Sequence, residues 1–285
     1  MKCSIRAHSY RSSFPPAPIC SARSSVFLHL LLLHLTVRDG IRFLEGVGDV
    51  RLVWSLGFAL CFAASFFPAA QRAAALGGFA LGTWKLATIF PHNSNHFALE
   101  YLCLLFAALV SWERDDERLV FLRSVRWLPV LVMVWSGLNK LVYGTYFNGA
   151  FLATVLPSAG FANVFGLLLS PDELARLLAA QPPGPYVFTS PLALVASNLV
   201  WAGEIVCGVL LLVPRLRMLG LLGGLGLLVG IELGAFEVLF GTLMLNMLVL
   251  FAPAVWSRRA FAASAVFYAS LVGAKLGWLP GWSFN

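Results

Sequence analysis

Lys140 ends an apolar run, Leu128 to Leu138, in which an ammonium group costs roughly 2.5 to 3.5 kcal/mol on membrane-insertion scales. A lysine amine is a base only when neutral, and a poorly solvated pocket favours the neutral form. Other costly groups recur along the chain. His96 follows Pro91, His92, Asn93, Ser94 and Asn95, and Glu100 lies four residues beyond it, on the same face of a helix. Glu204 interrupts WAGEIVCGVLLL, Glu232 and Glu237 flank a tight turn, and Lys85 lies near the end of its own apolar run. A base, an imidazole and an acid in one low-dielectric place would suit proton abstraction. Each group also has a plainer reading. Lys140 would snorkel to the headgroups, His96 would belong to a helix cap, and the acids would be neutralised or solvated. The spacing of His92 and His96 would suit a metal only with a third ligand, and none stands out, so no metal is expected. HExxH, GxxxxGK[ST], GxSxG and a strand-linked GxGxxG are absent from the sequence.

The elements that must hold these groups are apolar. The 285 residues are 59% hydrophobic and 12% charged, with a mean hydropathy of +0.82, against about 25% charged in ordinary soluble domains. Repeated apolar runs approach the ~20 residues that span a bilayer. The fold class expected is therefore all-α, a polytopic transmembrane bundle of about eight helices. We read helices near 52–70, 73–90, 96–112, 120–143, 192–213, 217–233, 238–255 and 260–279. Residues 1–24 read as a basic tail or targeting segment. A single transmembrane domain follows over 25–285, opening with a short apolar segment at 25–37. Trp84, Trp112, Trp127, Trp201, Trp256 and Trp278 fall at span ends, as an aromatic belt requires. Between 144 and 190 a surface or re-entrant helix is expected, with Ser170 capping it and Asp172 and Glu173 in its first turn. Gly220, Gly224, Gly226, Gly230 and Gly234 predict a close-packing face.

The net charge of +7 has a topological origin. Arg72, the loop 113–126, Arg215 with Arg217, and Arg258 with Arg259 all fall on one side of the expected bundle, which makes that side cytoplasmic. The ends carrying His96, Lys140 and Glu232 are then exoplasmic. No basic stripe with interleaved aromatics is present, which argues against nucleic acid. The five cysteines show neither CxxC nor zinc spacing.

Two stretches, SNHFALEYLCLLFAALV and WSGLNKLVYGTYFNGAFL, resemble paired motifs of the vitamin K-dependent γ-carboxylase-like transmembrane domain, the HTTM family. The matching residues are Asn95-His96, then Trp135, Gly137, Lys140-Leu141, Tyr146 and Gly149. GEIVCGVLLLVPRLRMLGL resembles the family's acid-bearing helix through Glu204, Arg215 and Arg217. The likeness covers roughly residues 50–255. It departs at Glu232, where many members carry histidine, and it does not extend to the lumenal β-rich region with which the carboxylase helps bind its protein substrate.

The resemblance implies that Lys140 is the base that deprotonates a vitamin K hydroquinone or another quinol, with His96 in the same site. Trp135, Gly137 and Glu204 would line the cofactor's place. Reaction of the quinol with dioxygen would then supply the stronger base needed for carboxylation. The lipid bilayer and a lipid-soluble quinol are the partners implied. A different class of function also fits the sequence, a non-enzymatic bundle that binds a lipid or a partner protein. A transporter fits less well, since no inverted repeat is evident.

Overall fold

The computed structural model describes residues 17–91, 95–157, 161–180, 184–235 and 237–278. Expectations for residues 1–16, for His92, Asn93 and Ser94, and for Gln181 to Pro183 lie outside them. The described residues are all-helical, with no strand. The chain runs α1 (Ala17–Leu44), α2 (Val50–Ser65), α3 (Gln71–Ile89), α4 (Asn95–Leu109) and α5 (Asp115–Tyr143). Three short helices follow, α6 (Ala150–Val155), α7 (Phe161–Phe165) and α8 (Pro171–Ala179). The chain then forms α9 (Pro191–Leu212), α10 (Arg217–Ala235), α11 (Val238–Leu248) and α12 (Ser257–Lys275).

Local chemistry sets several of these limits. Asp115, Asp116 and Glu117 occupy the first turn of α5, where negative charge complements the helix dipole. The same helix stops at Gly144, whose left-handed φ of +68° lets its N–H reach the Lys140 carbonyl at 3.1 Å. Ser170 and Ser190 cap α8 and α9, each followed by proline at the first helical position. The expected Ser170 cap is present, with Oγ accepting from the Glu173 N–H at 3.3 Å.

Short connections make the long helices alternate in direction, so the C-terminal ends of α1, α3 and α12 meet the N-terminal ends of α2, α4 and α11. Among the described residues three helices are long and apolar enough to cross a membrane, 115–143, 191–212 and 217–234; α2, α4 and the α11 region are apolar but shorter. The large core cluster joins Phe27, Leu28, Leu31 and Leu32 of α1 to Trp54, Leu104, Phe121, Val125 and Met247.

Three expectations need correction. The helix α1 is continuous from residue 17 to 44, whereas the sequence reads as a tail to residue 24 followed by a short apolar segment at 25–37. Arg23, assigned to that tail, is buried and donates to the carbonyls of Leu250 and Ala252 at 2.8 and 2.6 Å. Trp112 is not a belt residue. It is 1% exposed, donates Nε1–H to the Ala107 carbonyl, and packs edge-on against Phe121. Trp84, Trp127, Trp256 and Trp278 are exposed as expected. The glycine face of α10 divides. Gly220 packs against the α9 backbone, where an added Cβ would lie 2.7 Å from Leu211 N, but Gly226 and Gly230 face open space.

Candidate functional site

Costly charges gather in two places. The first lies between α5 and α9. Gly137 brings the two helices together, because a Cβ there would stand 2.7 Å from the Trp201 carbonyl and 3.2 Å from Ile205 N. One turn further on, Lys140 Nζ donates to both carboxylate oxygens of Glu204, at 2.8 and 2.7 Å, and to Ser136 Oγ at 2.5 Å. The Tyr146 ring lies 5.5 Å from Nζ. The two side chains are 19% and 8% exposed, so Lys140 is held inward by an acid rather than snorkelling. Trp135 points elsewhere, 67% exposed on the outer surface.

The second place is at the end where α1, α2, α3, α4, α11 and α12 meet. A cavity of about 530 Å³ opens there, within the size range of small-molecule sites. Its walls include Ile41, Val238, Phe240, Leu243 and Leu271. Its inner end is charged and mostly dry. Arg38 of α1 donates to Glu100 of α4 and lies 3.8 Å over the Phe97 ring, a cation–π contact. Behind them Asp39, fully buried, receives Lys85 at 2.7 Å and Arg51 at 3.0 Å. Lys85 is also 4.0 Å from Glu100.

A hydrogen-bonded chain runs from this floor into the bundle. Ser264 Oγ donates to Asn246 Oδ1 at 3.0 Å, and Asn246 Nδ2 donates to the Tyr268 hydroxyl at 2.9 Å. The phenol therefore gives its own proton to His34 Nδ1, 2.9 Å away, and the His34 Nε2–H faces Glu100 Oε1 at 3.0 Å. These partners fix the neutral tautomer and orient every member of the chain. The arrangement holds a proton-bearing imidazole between a carboxylate and a phenol at the cavity wall.

His96 lines the same cavity. It stacks on Phe240 with ring centroids 4.2 Å apart and lies 3.6 Å from Glu237. Lys140, Glu204, Trp135 and Gly137 do not line it. The structure thus joins Lys140, Glu204 and Gly137 in one place and seats His96 in another. Glu232 sits over Gly241, with both carboxylate oxygens buried and without a hydrogen-bond partner among the described residues. No group of three or more potential metal ligands occurs among the described residues.

Sequence reasoning passed over His34, Arg38, Asp39, Arg51 and Tyr268. One signal was present: His34, Arg38 and Arg42 recur every fourth residue, a polar stripe along one face of α1. Comparison of the chain with protein-family models, with curated proteins and with solved structures finds no match.

Proposed function

We propose that the chain is a polytopic membrane protein whose end cavity binds a lipid-soluble molecule with a polar head. The observation that carries this reading is the cavity itself, with an apolar wall, a floor of buried charge and a charged rim. Burying ions costs several kcal/mol each, which well-packed apolar residues would avoid. Ionisable groups kept inside a membrane bundle therefore mark function. The outer surface supports the membrane setting: Leu60, Leu109, Val142 and Leu192 are 66–79% exposed, while Arg38, Asp39, Lys85, Glu100 and Glu204 are buried. On this reading α1–α5 and α9–α12 all cross or enter the bilayer, the arginine-rich end is cytoplasmic, and the cavity opens near the exoplasmic face. A photoactivatable single-chain lipid in nanodiscs, offered with a neutral and with an anionic head, should in at least one form label peptides of α1, α4 and α11, and Leu243→Trp, which fills the cavity, should abolish that labelling. Diffuse labelling of the outer helix faces, insensitive to Leu243→Trp, would sink the proposal.

The geometry of Lys140 favours a second reading, quinol-linked base chemistry of the kind the HTTM resemblance implies. Glu204 beside Lys140 is an acceptor for the lysine proton, so the couple can release a neutral amine toward a quinol arriving from lipid. His96 would then act from its own cavity on an anion rather than in one site with Lys140. Lys140→Ala should stop quinol oxidation in nanodiscs if this reading holds. Unchanged turnover would remove it and leave the binding reading intact.

A further inference from the structure

We infer that the head of the cavity's ligand is an anion, a carboxylate or a phosphate monoester carried on a hydrocarbon tail. The inference rests on the binding reading above and names the ligand class for that site. Arg38 and Arg51 on the cavity floor and Lys85 buried behind them share two carboxylates, Asp39 and Glu100. Every Asp and Glu of the chain lies within the described residues, so no further acid is hidden. At the rim, Glu45 is already shared by Arg42 and Lys275 at 3.0 and 2.9 Å. Glu237 faces His96 and is half exposed.

The guanidinium groups decide the chemistry. Arg38 and Arg51 both line the cavity, with side chains only 8% and 13% exposed. Each spends Nη1 on its carboxylate. The remaining N–H donors of each fork have no acceptor among the described residues, and none of those nitrogens is wholly buried. A guanidinium presents five donors in a rigid plane, and the acceptor that matches it is a two-oxygen anion. A neutral quinol or alcohol would leave most of these donors unpaired in a poorly hydrated place. The apolar wall from Val238 to Leu243 then takes the tail.

The test uses the full chain in nanodiscs, with oleate, oleoyl lysophosphatidate and oleyl alcohol as probes of one tail and three heads. At least one of the two anions should bind saturably, one per chain, about tenfold or more tighter than the alcohol, and their ranking separates a carboxylate source from a phospholipid one. Arg38→Gln should weaken the anion about tenfold and leave the alcohol unchanged. Arg51→Gln provides the same comparison should Arg38→Gln lose its fold, and the three-probe comparison on the unaltered chain needs no variant. Equal binding of anion and alcohol would overturn the anionic head while leaving a lipid-binding cavity. Absence of binding by all three, together with absent photolabelling by either lipid form, would overturn both.

Discussion

Lys140 and Glu204 are each costly inside an apolar bundle, and each removes the other's cost. Breaking such a pair leaves one charge buried alone. Lys140→Met should therefore destabilise the detergent-solubilised protein by about 3 kcal/mol or more, whereas Lys140→Met with Glu204→Leu should recover most of that loss. Thermal unfolding of the single and double variants checks this, and additive losses would contradict a paired role. The outcome also bears on base chemistry, because the double variant separates folding from turnover: a folded bundle without the couple should not oxidise quinol. His34 differs in kind. Its partners Glu100 and Tyr268 come from α4 and α12, 66 and 234 positions away, and no local pattern announces them.

Among the elements, α8 shows most directly how a short segment is held. Glu173 in its first turn accepts the Thr189 and Ser190 N–H groups at 2.5 and 3.3 Å and lies 3.7 Å from Arg176. Burial opposes ionisation of its carboxyl, but these hydrogen bonds and Arg176 outweigh it and hold Glu173 below the usual glutamate range. A carboxylate with a depressed folded-state pKa contributes stability that is complete above the ordinary value and is lost as pH falls through the depressed one. Protection against hydrogen exchange over 171–180 and 184–190, corrected for the intrinsic pH dependence of exchange, should thus be full at neutral pH and fall below about pH 4. Glu173→Gln should show fast exchange already at neutral pH, with a much flatter pH response. A pH response in the variant equal to that of the unaltered chain would exclude Glu173 as the latch. The α1 helix carries the opposite lesson. The apolar segment expected at 25–37 ends where the charges of Arg38 and Asp39 begin, yet α2, α3 and α4 supply Arg51, Lys85 and Glu100 as partners, and the helix continues.

For the whole molecule, the alternation of the long helices puts the α4–α5 connection and the α5–α6 connection at opposite ends. Arg118→Cys and Thr145→Cys should therefore react from opposite sides with a membrane-impermeant maleimide, Thr145→Cys from the exoplasmic side. Labelling of both from one side would contradict the proposed topology. Much of this architecture was legible in the residues. Composition pointed to an all-helical chain, and the apolar runs located α2–α5, α9, α10 and α12 to within a few residues, whereas α11 stops at Leu248 rather than near 255; helix limits depend on nearby side chains and backbone groups. The cost of charge in an apolar run likewise singled out Lys140, Glu204, His96 and Glu100 without a structure. Their partners were another matter. Helical spacing assigns a residue to a face but says nothing of which helix packs there. That Lys140 meets Glu204, that His96 opens instead on a cavity with Arg38 and Arg51, and that α1 lies inside the bundle were settled only when side chains dozens of positions apart neutralised one another, since a buried charge is stable only beside a partner that the chain's local order does not name.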